Sequence, residues 1–394
     1  MTETQGAWRR PVLRDDGDTR HPVGWLELFF DLIFVVIVAV LATNLEEGRD
    51  IAGFALQFMA VFWIWNAFTY YTERFESAGI EGRLFTFVGI LTVAGLAVWG
   101  HDGLGANYVG FATSYLLARA LNIALWLRAG YHVPRFRRAS LGFLGGFVIA
   151  LVLLVVSFFV GEQARLVLWT AAVLVEIVTP AVTGRFQAGL PPITSDKFPE
   201  RFGLFTMIVL GETVAEVIQT LAVANTVERL TALTIACAAL GLAIGFGMWW
   251  VYYDFVARRP VRQRFYIALG WVYLHMVMLI GIVLVGVGIA HGLPSAGAST
   301  MDPFARTLLL GGLGVMLLAV AAIETTLARA SDEPTHPVLS PVLKAGVAVA
   351  LFAIALVGPA IPTAAAFLIA IVALAVPAAY GAVVWYGKPR SPRT

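Results

Sequence analysis

The stretch FYIALGWVYLHMVMLIGIVLVGVGIAH, residues 265–291, contains no Asp, Glu, Lys or Arg. A helix needs about 20 predominantly apolar residues to cross the hydrocarbon of a bilayer, so this run reads as a membrane span. Working outward, the rest of the chain has the same character. Its 394 residues are 59% hydrophobic and 13% charged, with a mean hydropathy of +0.81, whereas soluble domains carry about 25% charged residues. The chain is too poor in charge to wet a globular surface, and little is left over for a soluble domain. A net charge of +2 is too small to suggest nucleic acid as a partner. A single cysteine, Cys237, excludes an internal disulfide and a cysteine metal cluster.

Apolar runs fall at 25–44, 51–71, 84–100, 108–127, 140–160, 164–183, 202–224, 230–253, 265–291, 304–328, 341–358 and 363–386, which gives twelve candidate spans. Pro303 and Pro341 stand where helices would start, Pro359 and Pro362 mark a tight turn, and Pro377 is taken as the one proline well inside a span. The polar residues before the first run read as a disordered cytoplasmic tail. Alternating the spans across the bilayer sorts the Lys and Arg residues without having been tuned to do so. Twenty-two fall on the side that receives the N-terminal segment, and four, Arg49, Arg165, Arg229 and Arg306, fall on the other. Such a bias marks the basic side as cytoplasmic, so both termini are expected there.

The end of the second run, WNAFTYYTERF (65–75), is echoed by the end of the eighth, WWVYYDFVARR (249–259), and Leu28-Phe29 by Leu204-Phe205. The expected fold is an all-α polytopic helix bundle of about twelve spans, with two six-span halves as parallel repeats. The expected organisation is a tail at 1–23, a first half at 24–183, a cytoplasmic linker at 184–201, a second half at 202–386 and a tail at 387–394.

Several ionisable residues fall where lipid should forbid them. Glu27 and Asp31 share one face of the first span at i, i+4, and two carboxylates there call for a cation or a proton between them. Arg74, at the returning end of the second span, is the expected cation. In the seventh span Glu212 and Glu216 repeat the spacing, with Glu212 about 16 Å from the span's start at about 1.5 Å per residue. Glu176, Arg119 and His275 reach similar depth. A charge at the bilayer centre costs about 2.5–3.5 kcal/mol even on insertion scales, so Arg119 must face a partner; Glu212 is the expected central proton-accepting carboxylate with Arg119 as its charge partner, and Glu176 competes for the same base. Glu324 and Asp254 read as interfacial or snorkelling residues near cytoplasmic ends. Gly142 with Gly146, and Gly241 with Gly245, give the small-xxx-small spacing of close helix contacts.

No phosphate-binding loop of the GxxxxGK[ST] type, no HExxH and no CxxC occurs. None of Lys197, Lys344 and Lys388 reads as lying in mid-membrane, so an opsin-like retinal Schiff base has no amine. No catalytic residue, cofactor or metal ligand is therefore expected.

LELFFDLIFVV (26–36), YYTERFE (70–76) and ERFGLFTMIVLGE (200–212) together resemble the bacterial low temperature requirement A family of multi-pass membrane proteins, over nearly the whole chain. The resemblance marks Glu27, Phe30, Asp31, Glu73, Arg74, Arg201 and Glu212 as family-pattern positions. It implies a multi-pass protein of the bacterial cytoplasmic membrane and brings no biochemical activity with it. One departure is Ser77-Ala78-Gly79, where members often carry an acidic pair. Two site expectations follow. One is a polar centre of Glu212, Arg119, Glu176, Glu216 and His275 serving proton-coupled secondary transport of a small solute or ion; the other is a cytoplasmic-side charge cluster of Glu27, Asp31, Glu73, Arg74 and Arg201. The alternative reading is a membrane sensor or assembly factor whose buried charges hold packing alone. The expected partners are the lipid bilayer and an unidentified small solute or ion.

Overall fold

A computed structural model of the chain describes residues 10–13, 23–76, 79–187, 197–227, 230–257, 259–329, 333–358 and 360–386. Among them are twelve helices long and apolar enough to cross a membrane: α1 Trp25–Gly48, α2 Ile51–Arg74, α3 Ile80–Val98, α4 Tyr108–His132, α5 Pro134–Phe159, α6 Glu162–Gln187, α7 Lys197–Thr226, α8 Ala232–Ala257, α9 Phe265–Ser295, α10 Pro303–Thr326, α11 Leu339–Val357 and α12 Thr363–Trp385. The protein is an integral membrane protein built as a polytopic helical bundle.

Helix starts follow local chemistry. The Asp50 carboxylate accepts from the amides of Ala52 and Gly53 at 3.1 and 3.0 Å, closing the α1–α2 turn, and the Thr231 hydroxyl accepts from the Thr234 amide at the start of α8. Asp302 precedes Pro303 at the head of α10, a cap followed by a residue whose missing N–H costs nothing there.

The helices group into two units, residues 1–201 with 263–269, and residues 202–262 with 270–394. In the first, α1 packs on α2 and α3, α4 on α3 and α5, and α5 on α6, while α2 also touches α4 and α6. Gly142 and Gly146 lie against Thr183 and Thr179, so that a Cβ on Gly146 would stand 1.9 Å from the Thr179 hydroxyl; bare backbone is what lets α5 and α6 approach. In the second unit α10 packs on α11, and α12 on α8 and α11. Burial singles out α9 and α10, whose most apolar stretches are 78% and 72% buried against 33% for α8. Gly281, Gly288 and Gly312 account for this closeness. A Cβ on Gly288 would meet the Leu309 amide nitrogen at 2.5 Å, and one on Gly281 the Gly312 carbonyl at 2.8 Å. Beside this contact α10 widens into a π-helical turn at Thr307–Gly311.

Three expectations change. Val12–Leu13, inside the stretch read as a disordered tail, form a two-residue antiparallel pair with Phe75–Glu76, because the backbone groups just past α2 are left for a strand partner. The linker at 184–201 is shorter than expected: α6 runs to Gln187 and α7 begins at Lys197, since polar side chains there find partners inside the unit. Residues 188–196 and the tail at 387–394 lie outside the described residues. Pro180, too, sits inside a span, in α6.

Candidate functional site

The centre of the first unit holds a buried ion pair. Arg119, twelfth of the 25 residues of α4, donates through Nη2 to Glu176 Oε2 of α6, and both side chains have zero exposure. The Tyr115 hydroxyl, one turn before Arg119, donates to the same carboxylate oxygen at 2.6 Å and accepts from Arg119 Nη2 at 3.0 Å. The guanidinium lies 5.2 Å from the Tyr115 ring centre and 5.4 Å from that of Phe147 on α5, while Trp169 packs against Tyr115 at 5.1 Å. Arg119 Nη1, Glu176 Oε1 and both amide atoms of Asn122 are buried with no hydrogen-bond partner. Asn122 is itself fully buried, one turn beyond Arg119. Pro180 stands four residues after Glu176, and without an N–H it leaves the Glu176 carbonyl without its helical donor. An ion pair sealed in hydrocarbon normally satisfies every polar atom it brings along; this one is under-satisfied at one atom on each partner, and Asn122 adds two more.

A second cluster occupies the end of the unit where α1 begins. Arg201, on the second turn of α7, donates to Asp31 Oδ1 from Nη2 at 2.5 Å and to the Thr72 hydroxyl from Nη1 at 2.8 Å. Trp65 Nε1 donates to Asp31 Oδ1 at 2.8 Å. Glu27 accepts from Lys197 Nζ at 2.7 Å and from the Gly24 amide at 3.0 Å, so that one side chain caps α1 and binds α7. The Glu73 charge also acts on Arg201. Thus Glu27, Asp31, Glu73 and Arg201 come together, with Lys197 added to them. Arg74 does not take the place expected of it: Arg201 and Lys197 hold the two acids, and Arg74 instead donates to the Tyr70 hydroxyl at 3.3 Å. The reason is geometric. Arg74 ends its helix, whereas Lys197 and Arg201 are i, i+4 and present their cations at the spacing of Glu27 and Asp31. Glu27, Thr72 and Arg201 face a cavity of about 40 Å³ floored by Phe30, Phe68 and Tyr71, room for about three waters.

Glu212, Glu216 and His275 belong to the second unit. Glu212 and Glu216 are half-buried on α7, and Glu216 Oε2 would lie 3.3 Å from a Cβ on Gly286 of α9. His275 is fully buried, with Nδ1 2.8 Å from the Trp271 carbonyl and Nε2 3.2 Å from the Tyr252 hydroxyl. Phe202 meets its ring edge-on and Trp271 lies tilted against it. Both of its nitrogens are occupied by protein groups.

The same unit contains a cluster the sequence reading missed. Glu324, read as snorkelling, is buried and accepts from Lys344 Nζ at 2.9 Å and from the Ser340 hydroxyl at 3.0 Å. Lys344 has zero exposure, and its ammonium lies 3.4 Å from the Phe255 ring centre. Arg259 reaches Glu324 at 3.5 Å and Glu333 at 3.6 Å. Burial pushes the Arg259 guanidinium below its ordinary value, against the pull of those two acids. Asp254 likewise turns inward, accepting from Trp250 Nε1 at 2.6 Å. The signal lay in the i, i+4 spacing of Ser340 and Lys344 inside an apolar run, the same rule that picked out Glu27 and Asp31. Among the described residues no group of three His, Cys, Asp or Glu side chains could hold a metal ion.

Compared with known proteins, the chain matches the model of the bacterial low temperature requirement A protein, LtrA, over residues 22–378. That match spans both units and both clusters of the first. The chain belongs to the LtrA family. Among curated relatives it is 28% identical over 229 residues to a Rhizobium meliloti (strain 1021) protein described as "Uncharacterized protein RA0937", covering 54% of each chain. The match therefore spans about half the length of that relative. Asp31, Arg119, Glu176 and Arg201 all lie within the matched residues.

Proposed function

We propose that this LtrA-family protein is a proton-coupled secondary transporter of a small solute or ion, with Arg119, Glu176, Tyr115 and Asn122 at its working centre. The observation that carries the reading is the set of four buried, unpartnered polar atoms on Arg119, Glu176 and Asn122. Mid-span groups of this kind call for a transient partner, and a proton, a water or a polar solute supplies one. Glu176 is the proton acceptor in this scheme: one oxygen is held by Arg119 and Tyr115, and the other is left to take a proton. Glu212 and Glu216 on α7 are taken as further proton-carrying carboxylates within the second unit, and His275, with both nitrogens engaged, orients α8 against α9. A cytoplasmic-membrane location with both termini inside accords with the Lys and Arg asymmetry.

Flux in reconstituted vesicles tests this. Purified protein with a pH-sensitive dye inside the vesicle is expected to move protons when a driven solute is offered, and Glu176→Gln and Glu212→Gln are each expected to fold and lose that movement. A second reading, a sensor or assembly factor with purely structural charges, is favoured by the zero exposure of both Arg119 and Glu176. Full flux or full growth support in Glu176→Gln would select it.

A further inference from the structure

At the end of the first unit opposite Glu27 and Arg201, the structure forms an open cleft of about 460 Å³, within the roughly 300–1,000 Å³ range of small-molecule sites. Its walls come from the end of α1, the start of α2, the turn before α4 and the start of α6. Four carboxylates line it, those of Glu47, Asp50, Asp102 and Glu162, with no Lys or Arg among the lining residues. His101 is the one potential cation in the wall, and its Nε2 is already 3.0 Å from Glu47.

Acids at helix ends have structural duties, and two of these do: Asp50 caps α2, and Asp102 accepts from the Ala106 amide at 2.7 Å. Two amides in the same wall each keep a buried atom that no protein group holds. Gln57, only 6% exposed, lines the same cleft, and its amide nitrogen has no hydrogen-bond partner. Asn44 Oδ1 is likewise buried and unpartnered, although the other end of that amide is fixed by the Gly100 carbonyl at 2.6 Å. With no protein group holding it, the Gln57 amide can present either its NH₂ or its oxygen. Gly103 closes over it: a Cβ there would stand 2.9 Å from Gln57 Nε2.

We propose that this cleft binds a small organic cation bearing a hydrogen-bonding group, an amino alcohol or short diamine in chemical class, with the ammonium among Glu47, Asp102 and Glu162 and the polar group against Gln57 and Asn44. The carboxylates supply the negative charge that balances an organic cation, and the buried amides supply directional contacts that a bare field would not. A chelated metal ion fits less well, because among the described residues no three ligating side chains converge. The proposal concerns binding alone and stands apart from the transport reading.

Calorimetric titration of the full-length protein in lipid nanodiscs tests it, with ethanolamine, putrescine and calcium chloride as probes. Saturable binding of ethanolamine or putrescine is expected, at least tenfold weaker in Gln57→Leu and in Asp102→Asn, and weakened by added salt. Melting of each ligand-free variant is followed in parallel. If Gln57→Leu melts early, Asp102→Asn carries the test, since Asn keeps the cap oxygen and tolerates the left-handed backbone at this position, φ 49°. Absence of saturable amine binding, amine binding unchanged in both variants, or calcium binding that displaces the amines would each overturn the proposal.

Discussion

Arg201 holds Asp31 in a two-pronged contact, Nη2 to Oδ1 at 2.5 Å and Nε to Oδ2 at 3.3 Å, between residues 170 positions apart in the sequence. Both are buried, so each neutralises a charge that the other's absence would strand. Asp31→Ala is therefore expected to cost about 3–5 kcal/mol, read as a lowered melting temperature of the purified protein. Asp31→Leu combined with Arg201→Met is expected to recover most of that loss, since removing both charges removes the desolvation cost as well. A single variant as stable as the parent would contradict the assignment.

Tyr115→Phe isolates one contact in the mid-span centre. The ring and its packing on Trp169 remain, while the hydroxyl shared by Glu176 and Arg119 is lost. About 1–3 kcal/mol of stability is expected to go with it, as two buried charged groups each lose a partner. An unchanged melting temperature would mean that the hydroxyl is replaced by water at no cost.

Two glycines set up a paired comparison in the second unit. Gly288→Ala forces a methyl against the Leu309 backbone, which cannot swing aside as a flexible side chain would, so yield and stability are both expected to fall. Gly346→Ala, in α11, meets nothing within 4 Å and is expected to be neutral or to gain about 0.5–1 kcal/mol from helix propensity. Equal behaviour of the two would argue against backbone contact between α9 and α10.

Topology is open to labelling. Cysteines replacing Ala106 and Gly161, both exposed, are expected to react with an impermeant maleimide from outside intact cells, and one replacing Arg135, also exposed, only from the cytoplasmic side. The native Cys237 is buried and is expected to stay silent. Reaction of the Arg135→Cys variant from outside would reverse the orientation.

The spans were legible because hydropathy is a local sum: each expected run overlaps one observed helix, and errors are confined to ends such as Lys197–Arg201, where charged residues continue a helix that composition would stop. Depth was legible too, since it needs only a count along a helix. Partner choice was not. Arg119, Glu176 and Glu212 were expected at one depth, but Glu176 meets Arg119 because α4 and α6 both pack on α5, while Glu212 belongs to the other unit. The same limit hid Arg201 behind Arg74. A residue's face follows from its spacing, but its partner depends on which helix lies opposite, and that is fixed by packing across long stretches of chain, including the glycines that admit close neighbours.

The wide turn at Thr307–Gly311 acts as one extra residue spliced into α10. Everything after it is phased by that insertion. Deleting a single residue there would restore a regular helix and rotate Gly312–Thr326 by about 100° about its own axis. Gly312 would swing off Gly281, and Glu324 would be carried away from Ser340 and Lys344. Through this offset one short irregular turn sets the angular register of a backbone contact and of a buried charge cluster three turns further along, so the length of that turn, more than its side chains, is what α10 cannot change.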